Sequence, residues 1–187
     1  MAANKKWAIL YCPKKGMYSR GVRWSKVEKC LMDNGIDFDY VQSENANSVE
    51  RLITMFIENG YKTIVVVGGD SALNDAANCL MHIDKQARED IALGVIPNGL
   101  MNDFAHFWGM SEGDIDATVK WLKKRRVRKI DLGKVRYTNK EGQQCQRYFL
   151  NCVNVGLIAT IMNLRLQTRR LFGSRTLSFL FSFVLLA

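Results

Sequence analysis

The sequence predicts an α/β fold, with an open, largely parallel sheet and helices on both of its faces. Short apolar strands alternate with segments of helical periodicity over residues 1–130, which is typical of a parallel sheet covered by helices. The run at 63–67 is β-branched and apolar on both faces, as in a strand at the middle of such a sheet. After Ile130 two strand-like segments surround a polar turn, which predicts a β-hairpin. We therefore expect an α/β domain at 1–130 and an incomplete β-rich second domain at 131–187, ending in an apolar helix.

Each element is predicted from apolar periodicity and from the turn residues that end it. Val27 and Leu31 share one face of a helix, and Asn34-Gly35 closes it because these residue types tolerate the left-handed backbone of helix ends. Ser48 is a suitable N-cap for a second helix. In chain order we predict a strand at 7–11, a helix at about 22–32, a strand at 38–41, a helix at 48–57, a strand at 63–67, a helix at about 73–81, a strand at 92–96, a helix at about 115–124, and a hairpin formed by 131–137 and 147–153.

The composition predicts a globular protein with an anionic partner. Hydrophobic residues make up 48% of the 187 residues and charged residues 24%, which is enough for a core. Lys and Arg number 27 against 18 Asp and Glu, a net charge of +9, which favours a nucleotide, a nucleic acid or an anionic membrane. The five scattered cysteines form no CxxC pair, and only two histidines occur, so we expect reduced thiols and no zinc site. With no apolar signal segment near the start, we expect a cytoplasmic protein.

Two loops that follow buried strands carry the polar residues that suggest chemistry. Gly68-Gly69-Asp70 ends the 63–67 strand, and two glycines let the backbone approach a phosphate while Asp70 could hold a ribose hydroxyl or a magnesium ion. A tight turn capped by Asp explains these three residues equally well. The loop at 97–105 follows the next strand and places Asn102 and Asp103 at a helix start. Ligands of open α/β sheets bind at the carboxyl ends of strands, so the two loops together favour a ligand site.

These loops resemble those of a known family. Gly68-Gly69-Asp70, followed by 73–75, is similar to the GGDGT-x-NE signature shared by diacylglycerol, sphingosine and NAD kinases, and 97–105 is similar to the P-x-GTGNDFA loop of the lipid kinases. Pro13 and Gly16 match the NPxxG turn of the family. The chain is thereby identified as a member of the diacylglycerol kinase catalytic-domain family, which includes bacterial lipid kinases and sphingosine kinase-like proteins. Further segments at 130–133, 148–151 and 155–159 resemble the start of the family's β-rich second domain.

The resemblance implies an enzyme that transfers the γ-phosphoryl group of ATP to a lipid hydroxyl such as that of diacylglycerol. ATP and Mg²⁺ would then be bound between the two domains, with Asp70 and Asp103 as catalytic residues and Asp70 and Asp131 on the metal. Phosphoryl transfer mainly requires positioning and charge neutralisation, which glycine loops, carboxylates and a cation supply. The nucleotide-binding residues implied are Gly16, Gly68, Gly69, Asp70, Ser71, Asn74, Asp75, Gly99, Asn102 and Asp103.

The departures from the family pattern are concentrated in these motifs. Cys12 replaces an Asn, Ser71-Ala72 replaces Gly-Thr, Leu100-Met101 replaces Thr-Gly, and Ile158 replaces an Asp. The chain also ends before the acidic general base of the family. Three functions therefore remain open: a lipid kinase, a degenerate relative that binds nucleotide or anionic lipid without turnover, and a relative of NAD kinase, against which 102–105 argues.

Two further segments suggest partners. Residues 120–129 are densely basic, as in a solvated helix face or in a surface that contacts an anionic membrane at the inner face of the cell. No nucleic-acid recognition motif accompanies them, so we expect no nucleic-acid partner. The apolar stretch at 177–187 is shorter than the roughly 20 residues of a membrane span. As an exposed apolar surface, the tail at 171–187 predicts either a homodimer formed through it or an unstable chain.

Overall fold

The computed structural model describes residues 4–13, 22–45, 47–99, 101–111, 113–124, 126–153, 156 and 159–161. The predictions made for Gly16, Leu100, Ile158 and the tail at 171–187 lie outside these residues. The elements are β1 (Asn4–Tyr11), α1 (Trp24–Asp33), β2 (Phe38–Gln42), α2 (Ser48–Glu58), β3 (Tyr61–Gly68), α3 (Asp70–His82), α4 (Lys85–Glu89), β4 (Ala92–Pro97), α5 (Asp103–Phe107), α6 (Ile115–Lys123), β5 (Gly133–Thr138) and β6 (Gln144–Phe149).

Four strands form a fully parallel sheet in the order β2-β1-β3-β4. β3 lies inside the sheet, as its continuous apolar run predicts, and four of its residues (Ile64 to Val67) are buried. Successive side chains of a strand point to opposite faces. Ile64 and Val66 accordingly pack with α2 and α3, whereas Val65 and Val67 pack in the core that includes α1 and α6 residues. Helices thus cover both faces, and the predicted fold class is confirmed.

Register brings the ends of β3 and β4 side by side. Val67 pairs with Ile96 and Gly68 pairs with Pro97, so the loops that follow both strands begin at the same edge of the sheet. β1 ends at the same edge, where the Cys12 amide donates to the Val67 carbonyl at 2.8 Å. The loops that follow β1, β3 and β4 therefore all begin at the same edge of the parallel sheet.

Two helices end as the sequence predicts. Gly35 follows α1 with φ +63°, and Gly60 follows α2 with φ +76°, the left-handed conformation that glycine adopts without strain. α3 begins three residues earlier than predicted, at Asp70, directly after the glycine pair. β6 ends at Phe149, four residues before the predicted hairpin end. α4 was not predicted, and its short run carries no buried residue.

The chain divides into two compact units, 1–151 and 152–187. The antiparallel hairpin of β5 and β6 belongs to the first unit, where it packs against α3. The domain boundary at 130 stays a prediction. In the part of the chain that the structure describes, no helix combines the length and the apolar character needed to cross a bilayer.

Candidate nucleotide site

The glycine loops after β3 and β4 touch each other through their backbones. A Cβ built on Gly69 would lie 2.7 Å from the Cα of Gly99, and one built on Gly99 would lie 2.3 Å from the Cα of Gly69. Neither position can carry a side chain without moving the other loop. Bare backbone therefore lines this point of the sheet edge, as a loop that approaches phosphate closely requires.

The amino end of α3 opens at this glycine contact and has no side-chain cap. Gly69 is the N-cap residue in an extended conformation, so this position has no side chain that could cap the helix. The first amides of a helix have no partner within the helix, and together with the helix dipole they favour an anion. Ser71 lies in this first turn and is exposed. Gly68, Gly69 and Ser71 are thus placed where their backbone could contact phosphate.

Asp70 links the two loops through its carboxylate. Its Oδ2 accepts a hydrogen bond from the Asp103 amide at 3.0 Å, and its Oδ1 accepts one from the Phe104 amide at 2.9 Å. The Asn151 amide group donates to Oδ1 at 3.3 Å. Asp70 therefore caps α5, a helix that begins 33 residues later. A carboxylate accepts about four hydrogen bonds, so one lone-pair position on Oδ2 remains for a cation.

Asn102 shapes the second loop. It adopts the left-handed conformation (φ 56°, ψ 38°), which asparagine tolerates better than most residues, and it is almost fully buried. Its Oδ1 accepts from the Gly99 amide at 2.7 Å, and its Nδ2 donates to the Gly99 carbonyl at 3.2 Å. The side chain thereby holds Gly99 against Gly69, so the contribution of Asn102 is to fix the loop.

Asp103 presents the accessible carboxylate of the site. It is the first residue of α5 and is exposed, and its backbone amide donates to Asp70. None of the described residues forms a hydrogen bond or ion pair with its carboxylate. The charge of Asp103 is therefore available to a cation.

Asn74 and Asp75 contact the hairpin. Asn74 Nδ2 donates to the Tyr148 carbonyl at 3.2 Å, and its Oδ1 accepts from the Leu150 amide at 3.2 Å. Asp75 forms an ion pair with Arg147. Burial raises the pKa of Asp75, although the neighbouring Arg147 opposes this shift. Both residues therefore hold β6 on α3 and lie one to two turns from the glycine contact.

Two asparagines that the sequence analysis did not select bond elements around the site. Asn78 donates to the Tyr148 carbonyl and accepts from the Tyr148 amide, both at 2.9 Å, so its side chain pairs with β6 like a strand residue. A sequence signal existed, because Asn74 and Asn78 share one face of a helix despite the low helix propensity of asparagine.

Asn98 is the second of these residues, and it joins three loop starts. Its side chain donates to the Cys12 carbonyl at 3.2 Å and accepts from the Val22 amide at 2.8 Å, while its own amide donates to the Gly68 carbonyl at 2.8 Å. Only 2% of Asn98 is exposed. The Tyr11 hydroxyl also donates to the Val22 carbonyl at 2.9 Å. These bonds fix both ends of the segment between Pro13 and Val22, which contains the predicted Gly16.

The described residues could hold a magnesium–nucleotide complex with few protein ligands to the metal ion. No group of three described His, Cys, Asp or Glu side chains could hold a metal ion. Mg²⁺ commonly uses one or two carboxylates and completes its shell with water and substrate phosphates, which the Asp70 and Asp103 pair can satisfy. Asp131 is exposed and lies two residues before β5, so its metal role stays a prediction. Met101, one of the departures from the family loop, is 62% exposed.

Several known proteins are similar to this chain. Residues 6–135 match the family model described as the diacylglycerol kinase catalytic domain. The Bacillus subtilis (strain 168) protein named "Putative lipid kinase YtlR" is 27% identical over 180 residues, which cover 93% of this chain and 56% of that protein. A Xanthomonas oryzae pv. oryzae (strain MAFF 311018) protein named "Probable lipid kinase YegS-like" is 33% identical over 75 residues, covering 40% of this chain and 24% of that protein. The crystal structure of a diacylglycerol kinase from Bacillus anthracis str. Sterne aligns with a TM-score of 0.56 and 19% identity, over 75% of this chain and 47% of that one.

The α/β fold is thus shared with this solved structure. Because the family model covers most of the chain, the chain belongs to the diacylglycerol kinase catalytic domain family. It spans about half the length of the Bacillus subtilis relative. The family resemblance predicted from the sequence is thus confirmed.

Proposed function

We propose that this chain binds ATP with Mg²⁺ at the glycine contact and that the protein transfers the γ-phosphoryl group to a lipid hydroxyl. The observation that carries the proposal is the uncapped amino end of α3, which opens beside Gly69 and Gly99. Phosphate oxygens would accept hydrogen bonds from its first-turn amides. α5 differs, because Asp70 already occupies its first amides.

Some site residues would position the nucleotide phosphates, and others would help to neutralise their charge. Gly68, Gly69 and Gly99 leave space for phosphate, and Asn102 fixes Gly99. Mg²⁺ would neutralise the phosphate charge, with Asp103 as its most accessible protein ligand. In the transfer, a bond would form between the lipid oxygen and the γ-phosphorus, and the bond from that phosphorus to the bridging oxygen would break, so that ADP leaves. The proton of the lipid hydroxyl would pass to water.

Calorimetry of the purified chain with ATP tests the nucleotide part of this proposal. We expect binding that requires Mg²⁺ and that weakens about tenfold or more in Asp103→Asn, because a charged metal ligand is lost. Asp33→Asn removes an exposed carboxylate at the end of α1 and serves as the matched control. Absence of binding at millimolar ATP would exclude a nucleotide site in this chain.

A second candidate is a relative that binds nucleotide without turnover. The side chains of Asp70 and Asn102 are engaged with the protein backbone, and Ser71-Ala72 departs from the family motif. Transfer of radiolabelled phosphate to diacylglycerol separates the two candidates. Binding without transfer favours the second, and restoring Gly at 71 and Thr at 72 should then increase nucleotide affinity many-fold.

We further propose that the basic stretch at 120–129 contacts an anionic membrane at the cytoplasmic face. Lys120 pairs with Asp116 at 2.5 Å and Lys129 pairs with Glu89 at 3.6 Å. Arg126 and Arg128 have no ion pair with a described carboxylate, so their charge is available to lipid headgroups. Dimerisation through 171–187 stays a proposal, and sedimentation of the chain with and without that tail tests it.

A further inference from the structure

A large apolar groove runs along the outer edge of β4. In the described sheet β4 pairs only with β3, and the groove of about 730 Å³ lies beside its free edge. Leu80 and Met81 of α3 line one side, and Trp121 and Leu122 of α6 line the other. Pockets for small ligands have volumes of about 300–1,000 Å³, so the groove can take a ligand of that size.

Large apolar side chains are exposed at the rim of this groove. Phe107 is 80% exposed and Val127 is 67% exposed, and Trp121 and Ile130 are also accessible. Leaving four such side chains in water is unfavourable, and a contiguous exposed patch of this kind marks a binding surface. Its ligand must therefore offer a long apolar portion.

Three arginines give the rim a net positive charge. Arg88, Arg126 and Arg128 line the groove, and none of them pairs with a carboxylate in the described residues. Lys62 and Asp90, which also line it, neutralise each other at 3.4 Å. Guanidinium groups bind phosphate in a two-bond geometry that other cations do not match. The ligand's polar end must therefore be an anion.

We propose that this groove binds an acyl chain of an anionic phospholipid, with the phosphate at Arg88, Arg126 and Arg128. None of the glycines or carboxylates of the nucleotide site lines it. Leu73 and Phe104, which follow Asp70 and Asp103 closely in the chain, are however among its lining residues. The proposal goes beyond phosphoryl transfer, because lipid binding here requires no nucleotide.

The test ligand is monododecyl phosphate, kept below its critical micelle concentration and used without nucleotide. Its binding is measured by calorimetry and by tryptophan fluorescence. We expect saturable binding of one molecule per chain and a change in emission from Trp108 and Trp121. Dodecyltrimethylammonium, which has the same chain and a cationic head, should bind about tenfold more weakly or not at all. Equal binding of both amphiphiles would overturn the proposal, as would a lack of saturation.

Matched variants locate the site. Arg126→Gln combined with Arg128→Gln should weaken binding about tenfold, and Phe107→Ser should weaken it several-fold because an exposed apolar contact is lost. The controls are Arg51→Gln with Arg136→Gln, and Met32→Ser, which change exposed residues outside the groove. Because all these side chains are exposed, the variants should fold. Binding that is unchanged in the groove variants would refute a lipid site.

Discussion

The Cα atoms of Gly69 and Gly99 face each other so closely that neither residue has space for a side chain. A Cβ at either position would come within 2.7 Å of the opposing Cα. The loops that follow β3 and β4 therefore depend on each other for their positions. Asn102 strengthens this contact from one side by bonding both the amide and the carbonyl of Gly99.

Gly69→Ala should destabilise the fold by about 1–3 kcal/mol, because the new methyl group meets backbone atoms that cannot rotate away. Urea denaturation followed by circular dichroism measures the loss. Gly113→Ala is the control, because its Cβ would meet only the Ser111 hydroxyl oxygen at 3.6 Å and its φ is not left-handed. Equal midpoints for the two variants would show that the loops can separate without cost.

Asp70→Ala should destabilise the protein by about 1–2 kcal/mol even without ligand, because the first amides of α5 lose their acceptor. Asp70→Asn keeps one acceptor oxygen and should lose less. Thermal unfolding in the absence of ATP and Mg²⁺ measures both. An unchanged midpoint in Asp70→Ala would mean that water caps α5 equally well. Because this substitution affects folding, Asp103→Asn gives the cleaner test of the metal.

The structural features that depend on the local pattern of residues could be predicted from the sequence. The apolar run of β3 and the glycines after α1 and α2 determine strand and helix ends without reference to the rest of the chain. The two glycine loops could also be placed together, because parallel strands end at a common edge.

Side-chain partners that lie far along the chain could not be predicted. The carboxylate of Asp70 bonds amides 33 and 34 residues away, and Asn78 pairs with Tyr148 at a separation of 70. The pattern of residues around Asp70 or Asn78 contains no information on these partners. Asn98 was missed for the same reason, since its side-chain partners Val22 and Cys12 lie 76 and 86 residues away along the chain.

Asn78→Ala should release the hairpin from α3. The variant leaves the Tyr148 amide without its side-chain acceptor in a partly buried position, which costs about 1–3 kcal/mol, while the Tyr148 carbonyl keeps the bond from Asn74. Hydrogen exchange at the Tyr148 amide should accelerate, while amides of β3 should exchange as before. Asn59→Ala is the control, because Asn59 bonds only the Met55 carbonyl at the exposed end of α2. Unchanged protection of Tyr148 would show that other contacts hold the hairpin.

Asp75 should titrate above the usual range of an aspartate. Burial raises its pKa, and the ion pair with Arg147 lowers it by less. A carboxyl whose folded pKa is raised binds more protons when folded, so its contribution to stability is present at low pH and is lost as the pH rises through the folded pKa. Arg147→Gln removes the opposing charge and should raise the pKa further. Carbon-detected NMR of the Asp75 carboxyl measures both values, and a lower pKa in Arg147→Gln would contradict this account of the pair.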